Sequence, residues 1–284
     1  MQERLGQSHE GESSSLLGSD LDFVVRVVAP EFKDKEKLKE LIRADRSFRK
    51  GLIGDEKLFR RVASDDQSIT KISPALFFEI LLRRSAVELE NTSYLMESAG
   101  SQSVPVFYSR KAASFLASES TLHYLANMLS SFTRTESFVI PLRVRKGIWR
   151  GIRFSDMDID SLLRLCSLVN EENRFPFYKR IADLCLFIVG IFPQYTYLDY
   201  RYPSSKKARP KIAGRPGRSA EDYEEEGVTF YGLAREHKRA RLLGLEEPLY
   251  ELGQNFNLAR GCLNFLSEHH LRFRRDRLFN AGKT

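Results

Sequence analysis

Asp183 is the residue whose chemistry departs most from its surroundings. It lies inside FPFYKRIADLCLFIVGIFP (175–193), just before a run from Leu184 to Phe192 that is wholly apolar or glycine. A carboxylate there sits either on the one exposed strip of a buried helix or against an arginine in the interior, with Lys179 and Arg180 just before it. If buried, its proton affinity would be perturbed, which makes Asp183 the first candidate for a polar site; a structural ion pair is the simpler assignment.

Two cationic groups have the composition to hold an anion. Around Lys146-Gly147, the residues Leu142, Val144, Ile148 and Ile152 alternate with Arg143, Arg145, Arg150 and Arg153, which predicts a β-hairpin with one apolar and one arginine face. With Trp149 alongside, Arg143, Arg145, Lys146, Arg150 and Arg153 would grip phosphates or an anionic ligand, or else form a solvated outer face. The second group is PSSKKARPKIAGRPGRS (203–219), where Lys206, Lys207, Arg209, Lys211, Arg215 and Arg218 occur with no acid. These six cations nearly account for the net charge of +7, so the rest of the 284-residue chain is close to neutral. Gly214-Arg215-Pro216 resembles the core of an AT-hook, which lays an arginine along a narrow minor groove, although Ala213 stands where that motif carries arginine. A solvated linker is the alternative.

The remaining polar clusters point to structure. No G-x-S-x-G, phosphate-loop, H-E-x-x-H or C-x-x-C pattern occurs, and no Glu-x-x-His pair offers a di-iron ligand set. His269 and His270 are adjacent beside Glu268 and diverge by about 100° on a helix, so no metal is expected there. Glu221, Asp222, Glu224, Glu225 and Glu226 fall in the first turns of a helix, where its dipole favours acids.

Most of the elements that must position these groups are helices. The β-branched LDFVVRVV (21–28) reads as a strand or an extended arm, and 31–50 as one charged surface helix with Phe32, Leu38, Leu41, Ile42 and Phe48 on one side. Ser73-Pro74 opens a helix ending near Asn91; Ser98 to Val106 reads as a loop; Arg110 to Phe132 is a further helix. Capping boxes at Ser155/Asp158 and Ser219/Asp222 start helices at Asp156 and after Ser219. Tyr195, Tyr197, Tyr200 and Tyr202 follow the apolar helix, lining a groove or covering its end. Leu249, Leu252, Phe256, Ala259, Leu263, Leu266 and His270 keep a regular 3-and-4 spacing, predicting a single closing helix with a packing seam.

Several pieces, among them ISPALFFEILLRRS, RFPFYKRIADLCLFIVGIFP, DYRYP and SAEDYEEEGVTFYGLAREH, resemble a family of bacterial proteins of unknown function. The resemblance implies a soluble helical protein and brings no activity or catalytic residue.

The expected fold is mainly α, a multi-helix bundle of about eight helices with one β-hairpin. A flexible tail over 1–20 precedes a helical domain over 21–284, as one body or as lobes of about 21–100 and 105–284, with a disordered basic loop at 203–219. Cys166, Cys185 and Cys262 each lie in apolar runs, which predicts reduced thiols in a cytoplasmic protein. The apolar run at 184–192 is about half the roughly 18 to 20 residues a membrane span needs, so none is expected. The expected function is a non-catalytic regulatory or scaffolding module that binds a protein partner or a second copy through the seam. The alternative is nucleic-acid binding through the hairpin and the basic loop. No cofactor and no metal are expected, and an enzyme ranks third.

Overall fold

The computed structural model describes residues 16–65, 68–99, 102–134, 137–145, 148–196 and 218–279. The chain is mainly helical, with fifteen α-helices among the described residues rather than about eight. The difference arises because short polar residues interrupt runs whose apolar period continues across them.

The first helix, α1 (Gly18–Val28), replaces the expected strand or extended arm. Its Leu21, Val24 and Val25 are buried on one helical face, and burial of that stripe outweighs the few tenths of a kcal/mol by which β-branched residues disfavour a helix. Next, α2 (Lys35–Ala44) and α3 (Arg46–Ile53) divide the expected single helix at Asp45, whose carboxylate accepts from Ser47 N at 2.8 Å and Phe48 N at 3.0 Å. Leu38 and Ile42 are buried, whereas Phe32, Leu41 and Phe48 stay substantially exposed.

After α4 (Glu56–Ser64) and the single turn α5 (Ser68–Lys71), the helix α6 (Pro74–Glu90) starts where Ser73-Pro74 predicts. The Ser73 hydroxyl accepts from Leu76 N and donates to Asp20 on α1 at 2.7 Å, so one cap also fastens the N-terminal helix. The stretch expected as a loop carries backbone pairing: β1 (Leu95–Ala99) lies antiparallel to β2 (Gln102–Val106). The expected helix 110–132 becomes α7 (Ser109–Ala117) and α8 (Glu119–Ser131), parted at Ser118. A second antiparallel ladder joins β3 (Ser137–Arg145) and β4 (Ile148–Ser155), with a bulge between Arg143 and Arg145; the turn Lys146-Gly147 lies outside the described residues.

Helix α9 (Ile159–Leu168) begins three residues later than expected, because Asp158 is itself the N-cap and accepts from Asp160 N at 3.2 Å. Helix α10 (Phe175–Ile191) is the apolar stretch, buried on nearly every side and continued by a 3-10 turn at Pro193–Thr196. The capping box of Ser219 and Asp222 opens α11 (Ala220–Glu236), followed by α12 (Lys238–Leu242). The expected closing helix is broken at Asn255 into α13 (Glu246–Gln254) and α14 (Phe256–His269), before the short α15 (Arg275–Leu278).

Helix α10 packs against α9, α11 and α14, while α6 packs against α7 and α8. Glycine permits the closest approaches: a Cβ on Gly190 would meet Leu263 Cβ at 2.7 Å. Buried apolar side chains form one continuous cluster from Leu21 to Phe279. Leu249, Leu252, Phe256, Ala259, Leu263 and Leu266 all belong to it, so the seam is spent inside the molecule and offers no surface to a second copy. No helix among the described residues is long and apolar enough to cross a membrane.

Candidate functional site

Asp183 is buried to 1% exposure at the middle of α10, where α8 and α11 converge. Its Oδ1 accepts from the Tyr124 hydroxyl of α8 at 2.7 Å and the Tyr231 hydroxyl of α11 at 3.0 Å. Its Oδ2 accepts from Lys179 Nζ at 2.7 Å, one helical turn earlier, and that ammonium lies 4.7 Å from the Tyr124 ring centroid. The cationic partner is therefore lysine and not the expected arginine. Arg180 turns the other way, donating to Asp156 Oδ2 and Ser131 Oγ at 2.7 Å each, with its guanidinium over the Phe132 ring. Burial, reinforced by the Asp183 charge, pushes the hydroxyls of Tyr124 and Tyr231 well above the usual tyrosine range. They stay protonated and donate to the carboxylate. The cluster supplies a fixed, neutralised charge at the crossing of three helices; a proton donor in this state would have to be a tyrosine held far from neutrality.

The cationic candidates fall in two stretches, of which the structure describes only part. Across the β3–β4 ladder Arg143 faces Trp149, Arg145 faces Ile148, Arg150 faces Leu142 and Arg153 faces Val139. Lys146, Lys206, Lys207, Arg209, Lys211 and Arg215 lie outside the described residues. Arg218 is described and already engaged: it pairs with Glu226 and lies over the Tyr223 ring, 5.4 Å from its centroid.

Acidic groups are likewise matched. Glu224 accepts from Asn257 at 2.6 Å and pairs with Arg260 at 3.2 Å, which ties α11 to α14, and no group of potential metal ligands occurs among the described residues. A network missing from the sequence reading joins three helices, its His123 standing next to Tyr124 on α8. Arg83 on α6 donates to Glu79 at 2.8 Å and to Glu119 of α8 at 2.6 Å. His123 Nε2 donates to Glu79 at 3.2 Å, and Lys50 of α3 lies 2.9 Å from Glu119. Hydrogen bonding to Arg83, opposed by burial and aided by Lys50, brings the Glu119 carboxyl down to about 2. For Glu79 burial pulls upward, but His123 and Arg83 prevail and hold it below its ordinary value.

The structure adds one open feature that the sequence reading did not find, a cleft of about 450 Å³ between α4 and the chain that follows α14. Phe59, Leu81 and His270 form its more buried lining, and His269, Arg272 and Phe273 its exposed edge. The His270 side chain is 8% exposed and its ring meets that of Phe59 edge-on, with centroids 5.4 Å apart. Its Nε2 is 3.1 Å from Glu88 Oε2, yet the approach is out of line and this buried nitrogen has no hydrogen-bond partner. Burial lowers the proton affinity of His270 against the upward pull of Glu88. Phe273 is 94% exposed. The signal for this place was RFRR one residue after His-His, an aromatic residue set between arginines where the helical period stops.

Comparison with protein-family models, curated proteins and solved structures finds no match to this chain.

Proposed function

We propose that this chain is a non-catalytic helical scaffolding module that engages a protein partner. The observation that carries the reading is the cleft edged by Phe273. An aromatic side chain left 94% exposed at the edge of a concavity is the arrangement that anchors a partner, since aromatic residues contribute disproportionately to interface energy. Against catalysis stands the closure of the most chemically distinctive group, Asp183, whose oxygens are taken up by Tyr124, Tyr231 and Lys179.

A photo-crosslinking residue at position 273, compared with one at the exposed Leu168 on α9, tests the proposal in cells. A discrete protein adduct at 273 and not at 168 is expected; identical patterns at both positions, or adducts to nucleic acid, would overturn it. Self-association would have to use a surface other than the closing seam, and light scattering over a range of concentrations decides it. For the nucleic-acid alternative, titration of labelled duplex at two salt concentrations is decisive, since counterion release makes such binding fall steeply with salt.

A further inference from the structure

The chemistry of the cleft indicates what kind of partner segment it fits. Its inner wall is apolar, from Phe59 and Leu81, with the unaligned imidazole of His270 among them. Its edge is cationic. Arg272 is exposed and lies 5.8 Å from the centre of the Phe273 ring, and Arg274 is held by the carbonyls of Val62 and Ala63 at the end of α4. His269 donates from Nδ1 to Phe265 O at 3.0 Å, so Nε2 is the nitrogen left to meet a ligand.

The neighbouring acids do not cancel this charge. Glu56 pairs with Arg60 and Arg84, Glu88 pairs with Arg84 at 2.5 Å, and Asp276 lies by Arg275. Glu268, one residue before His269, is turned from it by about 100° around the helix. Arg272, exposed at the edge, has no acid paired with it among the described residues, and it carries the positive charge of the cleft.

We propose that the cleft receives an acidic segment of the partner protein, with a carboxylate at Arg272 and His269 and an adjacent apolar side chain against Phe59 and Leu81. The inference rests on the partner-binding reading and adds its chemistry. An apolar recess edged by arginine and an aromatic ring is how folded domains read acidic motifs, the guanidinium supplying charge and direction and the recess supplying area. A concave site with a nearly buried imidazole is poorly suited to a flat bilayer surface, and an anionic membrane is accordingly the competing outcome.

The test is selection of a random octapeptide display library on the intact protein, followed by binding of the selected peptides in solution and by sedimentation with anionic phospholipid vesicles. Expected is enrichment of peptides with Asp or Glu beside Leu, Phe or Met. Their affinity should fall about tenfold when the acid is made an amide, and by a similar factor in Arg272→Glu. Phe273→Ala should weaken the same peptides; both substituted side chains are exposed, so folding is not at issue. Enrichment of neutral or basic peptides that still depend on Phe273 would overturn the acidic assignment and leave partner binding standing. Absence of any Phe273-dependent peptide, or retention on vesicles in place of peptides, would overturn the proposal, and crosslinking at position 273 then reports separately on partner binding.

Discussion

Asp183 and His270 are both ionisable side chains pressed into helix packing, and the molecule treats them differently. Asp183 lies mid-helix, with α8 and α11 on its flanks, and hydroxyls from both reach one oxygen while Lys179 reaches the other. His270 is the C-cap of α14, where the chain turns away and one side of the ring loses its neighbours; Glu88 comes near without aligning. Position along a helix thus decides whether a buried polar group is completed from within or left to face a cleft. The first kind holds three helices together, and the second faces the cleft proposed as the partner site.

The largest expected effect tests the completed end of this contrast. Asp183→Ala leaves Lys179 and two buried hydroxyls without their acceptor, and should cost about 3–5 kcal/mol in urea denaturation. A loss below about 1 kcal/mol would mean that the charge is not what holds the three helices together. Gly190→Ala asks whether the same region is closed by shape as well, because the added methyl group would come within 2.7 Å of Leu263 Cβ. A cost of about 1–3 kcal/mol in the same assay is expected, and none if the helices can slide apart.

Titration should then separate the two regions by pH. His270 has a folded proton affinity below its usual 6.5, so its contribution is whole above that value and is lost as pH falls through 6.5 toward the depressed one. Tyr124 and Tyr231 are raised above 10.0, so their contribution is whole below that value and is lost as pH rises through 10.0. Hydrogen exchange should accordingly report loosening around α4 and α14 on mild acidification, and around α8, α10 and α11 only in alkali. Glu119 responds lower still, its contribution being present above 4.5 and lost as pH falls toward about 2. His270→Phe should flatten the slope near neutrality and leave the alkaline one unchanged. The smallest effect on stability belongs to Phe273→Ala, within about 0.5 kcal/mol, while the crosslinked adduct at the cleft is lost.

What the sequence disclosed follows from how local each signal is. Ser73-Pro74 and the Ser219/Asp222 box place helix starts correctly, because a cap is made of residues within one turn of each other. A lone acid before an apolar run marked Asp183, but its tyrosine partners come from 59 and 48 residues away, and nothing in the run distinguishes lysine from arginine as its counter-ion. Breaks at Asp45, Ser118 and Asn255 escaped because the apolar spacing runs through them, the closing seam keeping its period across Asn255. LDFVVRVV was misread because Leu21, Val24 and Val25 satisfy a helical stripe as well as a β-branched run. The cleft was invisible for a different reason: it is made by α4 and the residues after α14 meeting across about two hundred positions, and concavity has no local spelling.

That meeting also sets an order of events during synthesis. Arg274 donates to the carbonyl of Val62 across 212 positions, and Phe279 stacks on Phe78 while its ring edge meets Phe187 and Phe192. Contacts so distant in sequence slow folding, and here they come last in the direction in which a ribosome works. Until α14 and α15 emerge, a nascent chain carries α6 and α10 with their aromatic faces uncovered. The helices α14 and α15 are the latch of the fold, because Phe279 covers the rings of Phe78, Phe187 and Phe192.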